Sequence, residues 1–537
     1  MSVVRRDFLK TSGLATLAMA GLPRRTLAST MASALTARPL VHADVDYKSV
    51  TTRAVDAATR AGAQYADVRV TYTRGRYFTT LTEREELAIG VRAIVNGFWG
   101  FASSPYLGND SVDRVAREAV AQAKVNALGA RGGVELTPIP VVANGRWSTP
   151  VVIDPFEVPV EEVLDWSLGM GESILSELAW SFPRSSITTA WQSLGTTKTE
   201  KILASSEGTY IHQTFYETIA DFVVSYNGRM ESVDCFPSVA GGWELVLHAP
   251  LAASAHRIVE RLTREDALPT KTVDVGRYDL VFDSASMAAL VGETLGAATQ
   301  IDRALGYEAN AGGTSYLGPD PFKFLGTAIG ASSLNITANR SILIGRATTH
   351  WDDEGAVPDD FALIRDGVLV DYQTTREQAG WLAPWYQKRG LPVRSHGCAR
   401  STSALDLTLQ HTPNLAMGTG TADAGFEELV ASMSTGVAVT QSVVTADFQH
   451  VNGWGAPRAA FEIRNGRRVA RLLGAGFLFR TPELWKNLSA LGGRRAFEWQ
   501  PAGRSVKGEP TQRTIFSIGA VPAIVKNLAV IELTRKA

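Results

Sequence analysis

The fold is decided by residues 90–102, which read GVRAIVNGFWGFA. We interpret this stretch as parts of two strands, with Gly90 and Gly97 serving the turns around them. Short runs rich in β-branched and aromatic residues continue the pattern on both sides and predict further strands. The predicted strands are Tyr65–Tyr72, Tyr77–Leu81, Glu86–Val91 and Phe98–Ser103. The N-terminal part of the chain is therefore expected to build a sheet.

Helical periodicity surrounds this predicted sheet. Apolar residues at helical spacing predict four helices. They are Val50–Arg60, Ser111–Val125, Val160–Ala179 and Pro250–Thr263. Ser111 is the expected N-cap of the second helix, and alternating residues predict strands from Ser186 to Leu247. Residues 264–276 are polar and mixed in character, which is typical of a domain boundary.

The second half of the chain is predicted to be richer in strands. It opens with an apolar strand, Tyr278–Phe282, and Asp283 or Ser284 is suited to cap a helix that runs to about Gln300. Beyond that helix, hairpins are predicted at Arg365-Asp366-Gly367 and at Asn465-Gly466. The fold class predicted from these patterns is α+β, in two halves.

The composition describes a folded protein without a strong overall electric field. Of the 537 residues, 45% are hydrophobic and 20% are charged, so the chain has material for two or more domains. The formal net charge is −1, which gives no general attraction to nucleic acid or to an anionic membrane. Cys235 and Cys398 are too few for a disulfide framework, and a bridge between them would need an oxidising compartment.

The first residues match an export signal. Arg5-Arg6-Asp7-Phe8-Leu9-Lys10 follows the twin-arginine pattern, and the apolar stretch Ser12–Leu22 is too short to span a bilayer as a mature helix. Cleavage is conceivable near Ala28 or Ala37; an ordinary basic N-terminal helix is the alternative. We expect residues 1–38 to be a twin-arginine leader and the protein to be periplasmic or secreted, or cytoplasmic if the signal is not used. No later apolar run is long enough to predict a stable membrane anchor.

Several stretches, in order along the chain, resemble one known family. They are Gly62–Arg69, Gly90–Ala102, Trp351–Gly355, Asn414–Met417, Phe426–Val430 and Ala460–Arg467. Together they resemble the strands and the Asp-Asp-Glu-Gly turn of the TldD/PmbA family, which includes metalloproteases. No single piece is specific, but the ordered set covers most of residues 45–530. The resemblance implies a mixed-sheet N-terminal and central region at residues 45–264 and a β-rich C-terminal domain at residues 275–537.

The metal-bearing members of this family carry the pattern H-E-x-x-G-H-x-x-E-G-D on a helix. Its two histidines ligate zinc, and the adjacent glutamate acts as a general base on the metal-bound water. The histidines are five residues apart, which implies a local distortion of the helix such as a π-bulge. A cysteine near the C-terminus supplies the third ligand in the family.

The stretch that resembles this pattern lacks the zinc ligands. Glu293, Gly296 and Asp302 set the register, and Gly292 and Ala297 then stand at the two histidine positions. Neither side chain has a donor atom, and residues 508–522 contain no cysteine. Because zinc affinity comes from a few direct bonds, we expect no zinc or other cofactor.

Glu293 is the single candidate catalytic residue, in the general-base position of the pattern. Without a metal-activated water a general base is a weak catalyst, so a carboxylate on a helix face is the alternative interpretation. A second metal site is conceivable at His396 and Cys398, with His411 as a further ligand. Nothing in the residue spacing supports a serine or cysteine protease, and the sequence has neither a G-x-S-x-G elbow nor a P-loop.

Three hypotheses of function follow from the resemblance. The first is a non-catalytic partner, or pseudoenzyme, that binds a peptide or unfolded-protein segment as a homodimer or as a heterodimer with another TldD/PmbA-family chain. The second is an active metallopeptidase with an unrecognised metal site, so the sequence leaves open whether the protein is an enzyme. The third is an exported peptide-binding protein that acts alone. Binding of nucleic acid is disfavoured by the charge balance.

Overall fold

The computed structural model describes residues 24–35, 45–129, 132–234, 240–343 and 345–534. These residues form two compact units. One contains the described residues up to Arg92 together with Ala102–Ala119 and Ala143–Ala267, and the other contains Ala93–Phe101, Val120–Val142 and the described residues from Leu268 onward. The twin-arginine motif and Cys235 lie outside the described residues.

One mixed sheet lies mainly in the first unit, although the residues of its strands between Ala93 and Phe101 are assigned to the second. Its strands are β1 (Tyr65–Tyr77), β2 (Thr82–Val95), β3 (Phe98–Ser104), β4 (Gly145–Ser148), β5 (Ile187–Ser205), β6 (Tyr210–Tyr226) and β7 (Arg229–Asp234). The order across the sheet is β3-β2-β1-β5-β6-β4, with β7 also paired to β6. β1, β5 and β6 are antiparallel neighbours, whereas β4 runs parallel to β6.

A buried ion pair links two of the stretches that carry the family resemblance. Arg92 on β2 donates from Nη2 and Nε to Asp67 on β1, at 2.7 and 3.0 Å. Arg92 is 4% exposed and Asp67 is fully buried. Removing either partner would leave an uncompensated charge in the core, which typically costs about 3–5 kcal/mol. The buried charge in each stretch is therefore neutralised by the charge in the other.

Helices cover this sheet. They are α1 (Arg24–Leu35), α2 (Tyr47–Ala61), α3 (Asn109–Asn126), α4 (Val160–Leu178), α5 (Glu244–Leu247) and α6 (Leu251–Asp266), with a 3₁₀ turn at Arg184–Ser186. Asp46 caps α2 by accepting the N–H of Ser49, and Gly62 ends that helix in the left-handed conformation at φ 105°. α1 packs against α4 within the apolar core of this unit.

The second unit contains one sheet of ten strands and one of six. One is formed by β8 (Thr270–Thr272), β9 (Gly276–Phe282), β16 (Thr435–Thr440), β17 (Val443–Ala446), β18 (Asn452–Ala456), β19 (Ala459–Arg464), β20 (Arg467–Leu473), β21 (Ala475–Arg480), β22 (Leu488–Leu491) and β25 (Ala523–Glu532). The other is formed by β10 (Ile336–Asn339), β11 (Phe361–Arg365), β12 (Val368–Leu369), β15 (Asn414–Met417), β23 (Glu498–Lys507) and β24 (Gln512–Ala520). A small ladder pairs β13 (Ala399–Arg400) with β14 (Leu409–Gln410).

The helices of the second unit are short. They are α7 (Ser284–Val291), α8 (Ile301–Ala304), α9 (Arg376–Trp381), α10 (Ala383–Lys388), α11 (Phe426–Ala431) and α12 (Thr481–Lys486), with 3₁₀ turns at Pro321–Lys323 and Arg494–Ala496. Leu290 of α7, Phe477 of the first sheet and Ile518 of the second belong to one apolar cluster. α7 therefore lies in the core, where the two sheets contribute side chains to the same cluster.

Most predicted elements are present, and the protein has the predicted α+β fold. Both predicted hairpins are confirmed: the turn residues Asp366 and Gly367 have φ 51° and 74°, and Asn465 and Gly466 have φ 48° and 72°. Within the described ranges, no helix combines the length and the apolar character needed to cross a bilayer.

Five predictions were wrong in detail. Residues 78–81, predicted as part of a strand, form the turn between β1 and β2, and Gly90, expected at a turn, lies within β2. Ser111 is not an N-cap, because α3 begins two residues earlier and the Ser111 hydroxyl instead lies 2.9 Å from that of Ser104. The strands do not extend to Leu247, because Glu244 accepts the backbone N–H groups of Ile153 and Gly242 and the chain turns into α5. The helix that follows Asp283 is α-helical only to Val291. It continues as a π-helix to Gly296 and ends before Gln300.

Candidate functional site

The helix that bears the motif contains the distortion that the family resemblance implies. α7 ends at Val291, and Gly292–Gly296 continue it as a π-helix. In a π-helix the hydrogen bonds join residues five apart, so positions 292 and 297 lie on the same face. Gly292, Glu293 and Ala297 are half-buried, whereas the residues between and just after them are buried. The two histidine positions of the family pattern therefore share one accessible face.

This face does not fit the zinc ion of the family. Gly292 and Ala297 supply no donor atom, and β23 and β24 contain no cysteine. A Cβ at position 292 would lie 2.7 Å from Cδ1 of Ile518, a β24 side chain that is 2% exposed. Carbon atoms normally approach to about 3.5–4.0 Å. In the described part of the chain, no three His, Cys, Asp or Glu side chains gather as they would to hold a metal ion.

Glu293 acts as a hydrogen-bond acceptor for the neighbouring sheet. Its Oε1 accepts the backbone N–H of Ala446 on β17 at 3.0 Å. Burial raises the pKa of Glu293, while that hydrogen bond and the positive charge of Arg303 act in the opposite direction. A carboxyl with a raised pKa is suited to proton transfer. One oxygen of Glu293, however, is already hydrogen-bonded to the backbone of β17.

Side chains of the motif helix accept backbone N–H groups from β17 and from the two residues that precede it. This strand ends the order of its sheet and pairs with β18 on its other side. Backbone N–H groups at such an edge need acceptors. The donor–acceptor pairs are Gln441 with Asp283 at 3.0 Å, Ser442 with Ser286 at 2.9 Å, and Ala446 with Glu293. At these positions the edge is not open to an added peptide strand.

A buried polar network follows the π-helix. Gln300 stands where the family pattern has its second glutamate, and its Nε2 donates to Thr412 at 2.9 Å and to Ser505 at 3.1 Å. Arg303 donates from Nε to Gln300 Oε1 at 3.0 Å. Because these polar groups bond to one another, the network fixes the chain that follows the motif.

The last residue of the pattern is part of an ion pair in the same region. Asp302 pairs with Lys507 of β23, whose side chain is fully buried. Burial lowers the pKa of Lys507, and the Asp302 carboxylate opposes that shift. Asp302 therefore has a structural partner on a strand that lies far away in sequence.

His450 lies next to this site and had no signal in the sequence analysis. It is 8% exposed, has a left-handed backbone at φ 56°, and neither ring nitrogen has a hydrogen-bond partner among the described residues. Burial and then Arg303 lower the pKa of His450 to about 4, although the backbone carbonyl of Glu293, which is nearby but outside normal hydrogen-bond geometry, and the carboxylate of Asp447 oppose this. His450 is therefore an uncharged imidazole beside Glu293.

His396, a candidate metal ligand in the sequence analysis, is hydrogen-bonded to two carboxylates. Its Nδ1 lies 2.9 Å from Asp359 and its Nε2 lies 3.2 Å from Asp371, while the ring stacks on Phe361 with centroids 3.8 Å apart. Burial alone would lower the pKa of His396, but these hydrogen bonds outweigh it and raise the pKa to about 9. A protonated imidazole with both nitrogens engaged cannot ligate a metal ion.

Cys398 and His411 do not complete a metal site with His396. Burial raises the pKa of the Cys398 thiol to about 12, so it is not a thiolate at neutral pH. His411 is fully enclosed, and its Nδ1 lies 3.0 Å from the Ser505 hydroxyl. Burial and the charge of Lys507 keep the pKa of His411 well below its ordinary value. The structure does not support the suggested metal site, because His396, Cys398 and His411 do not gather as three metal ligands in the described part of the chain, and His396 already contacts Asp359 and Asp371.

The Asp-Asp-Glu-Gly turn is a hydrogen-bonded junction. Asp352 Oδ1 accepts the N–H groups of Glu354 and Ala356, both at 2.9 Å, and its Oδ2 accepts the N–H of Ala399 at 3.1 Å. Burial and then the carboxylate of Glu354 raise the pKa of Asp352 to about 7. These contacts assign the turn to holding loops of the second unit together.

Comparison with known sequences agrees with this geometry. The profile of the PmbA/TldA metallopeptidase C-terminal domain matches residues 275–531, and that of the PmbA/TldA metallopeptidase domain 1 matches residues 66–123. The chain belongs to the TldD/PmbA family. A metalloprotease of Methanocaldococcus jannaschii is 21% identical to it over 332 residues, which are 59% of this chain and 67% of that relative.

Solved structures of this family share the fold. A protein from Bacteroides thetaiotaomicron described as a modulator of DNA gyrase has a TM-score of 0.62 at 16% identity, covering 92% of this chain and 100% of its own. TldE from Thermococcus kodakarensis has a TM-score of 0.62 at 14% identity, covering 90% of this chain and 99% of its own. At these identities the similarity establishes the TldD/PmbA fold and not the activity.

Proposed function

We propose that this TldD/PmbA-family protein is a non-catalytic member of PmbA/TldE type. It binds a peptide or unfolded-protein segment as one subunit of a peptide-degrading homodimer or heterodimer, in which any zinc proteolysis belongs to another chain. Export by the twin-arginine pathway, to the periplasm or beyond, is part of the same proposal. The chain is thus a member of a metallopeptidase family that does not carry out the family's hydrolysis itself.

The observation that carries this proposal is the chemistry of the π-helix face. The two positions that bear histidine in metal-bearing relatives hold Gly292 and Ala297, and the side chain of Ile518 approaches the first of them. Glu293 holds the N–H of Ala446 instead of a metal-bound water. Because three ligands are missing at once, the free energy that binds zinc in relatives has no source here.

Metal content and proteolysis test the proposal directly. The purified full-length chain is expected to contain no stoichiometric zinc after gel filtration with equimolar zinc, and to leave unfolded casein intact. The Glu293→Gln variant, which keeps an acceptor for Ala446, is expected to behave identically. Stoichiometric zinc, or casein cleavage abolished by Glu293→Gln, would refute the non-catalytic role and favour an active metallopeptidase.

The partner is tested separately. A tagged copy of this chain is purified from its native cells, and the proteins retained are identified by mass spectrometry. We expect a second TldD/PmbA-family chain with an intact histidine pair, in a one-to-one ratio. Recovery of a monomer that binds unfolded casein without any partner would instead favour the hypothesis of a stand-alone binding protein.

A further inference from the structure

Helix α1 lies within the segment expected to be a leader, yet it is part of the core of the first unit. Leu27, Ala28, Met31 and Ala32 are between 0% and 4% exposed. They belong to the same apolar cluster as Val163 and the other buried side chains of α4. An apolar stripe at spacings of one, three and four residues is what a helix needs to bury one face.

The surface of α4 is shaped to receive this helix. Arg24 at the start of α1 donates to Asp165 from Nε at 2.8 Å and from Nη2 at 3.1 Å. Gly169, one turn further along α4, leaves the space in which the Arg24 guanidinium lies, because a Cβ there would collide with it. A glycine inside a helix costs about 1 kcal/mol relative to alanine. The bidentate pair fixes the register of the two helices, and the apolar face supplies the stability.

Position 28 is therefore a poor site for proteolytic processing. A protease needs an extended and accessible chain, whereas Ala28 is helical and 1% exposed. Cleavage after position 37 would separate α1 from the chain and leave the apolar face of α4 without its cover. Twin-arginine systems carry proteins that have already folded, so α1 would be docked before any leader is removed.

We infer that residues 24–35 remain in the mature protein as a structural helix, and that any removal of the leader takes place on the N-terminal side of Arg24. This goes beyond the proposed function, because it concerns processing and not peptide binding. It replaces the expected leader of residues 1–38 with a shorter removable segment.

The mature N-terminus provides the first test. The natural full-length chain is expressed with its export system, and the intact mass of the exported form is measured. We expect a mass that includes residues 24–35. An exported chain that begins at any residue beyond Arg24 would overturn the inference.

A pair of variants in the full-length chain tests the packing without requiring export. Met31→Asp places a charge against α4, and Thr30→Asp places the same residue on the exposed face of α1. We expect elastase to cut residues 24–35 at least tenfold faster in Met31→Asp than in the natural chain, because elastase cleaves beside small residues once the helix opens. Thr30→Asp is expected to match the natural chain.

The two tests separate the inference from the export proposal. If the chain stays in the cytoplasm but Met31→Asp alone becomes sensitive to elastase, the proposed localisation fails and the structural role of α1 stands. If both variants and the natural chain are cut within residues 24–35 at the same rate, α1 is not docked and the inference fails, wherever the protein resides.

Discussion

A double-mutant cycle between Gly292 and Ile518 measures whether Ile518 fills the space beside the accessible face of the π-helix. The backbone at Gly292 is right-handed helical, with φ −60° and ψ −49°, so alanine is tolerated without strain. Gly→Ala in a helix normally stabilises by about 1 kcal/mol. Here the new Cβ would lie 2.7 Å from Cδ1 of Ile518, and overpacking of this kind costs about 1–3 kcal/mol. We expect Gly292→Ala to be neutral or destabilising by up to about 2 kcal/mol.

Ile518→Val removes the methyl group that makes this contact. By itself it should destabilise by about 1 kcal/mol, as deletion of one buried methyl group does. In the Ile518→Val background, Gly292→Ala should regain its stabilising effect, which gives a coupling energy of about 1–3 kcal/mol between the two sites. Urea unfolding of the four proteins measures this energy, and thermal midpoints should move by about 2–4 °C per kcal/mol.

A double histidine variant tests zinc binding at the two motif positions. We expect the Gly292→His/Ala297→His variant to bind no stoichiometric zinc, since its third ligand is absent and Ile518 approaches the first position. Equal stabilisation by Gly292→Ala in both backgrounds would refute the argument that Ile518 fills the face. Tight zinc binding by the double histidine variant would refute the argument that the site has been lost beyond its ligands.

Three further predictions concern buried polar groups. Glu293→Ala should lower the free energy of unfolding by about 1 kcal/mol, because the N–H of Ala446 loses its acceptor, whereas Glu293→Gln should stay within about 0.5 kcal/mol of the natural chain in urea titrations. His450→Phe should leave the thermal midpoint unchanged or raise it, because it removes two buried nitrogens without partners; a fall of several degrees would show that the imidazole is structurally required. The pKa of His396 is raised to about 9 in the folded chain, above its ordinary 6.5, so its contribution of about 3 kcal/mol should be complete below pH 6.5 and lost as the pH rises through 9. Unfolding in urea at pH 6 and pH 9.5 measures that loss, which His396→Gln should abolish; an equally steep loss in the variant would assign it to other groups.

Sequence patterns correctly predicted the elements that are determined by neighbouring residues in the chain. The hairpins follow from Asp366-Gly367 and Asn465-Gly466, since these residues accept positive φ at little cost. α5 escaped prediction because Glu244 bonds to a backbone N–H nearly a hundred residues earlier. No pattern of helical or strand spacing contains that information.

The candidate site was predictable only where the family pattern extends. Glu293 and the five-residue spacing were identified from that pattern, and the π-helix confirms the implied distortion. His450 was missed because it lies about 150 residues away, in a turn held by Asp447, which accepts the N–H groups of Val451 and Asn452. His396 was predicted for a different role, because sequence spacing does not reveal Asp359 and Asp371 on either side of its ring.

The π-helix has a consequence for how such a site arises. Its geometry is maintained here by apolar neighbours and by Gln373, whose Nε2 donates to the carbonyl of Gly296 at 2.7 Å. Gly292 and Ala297 have no side-chain atoms that could bind an ion, yet the two positions lie on one face. The unusual pitch is thus a property of the surrounding scaffold, and a chain with imidazoles at these positions would have them aligned before any cation arrived. The alignment of these two positions therefore does not depend on which side chains stand there.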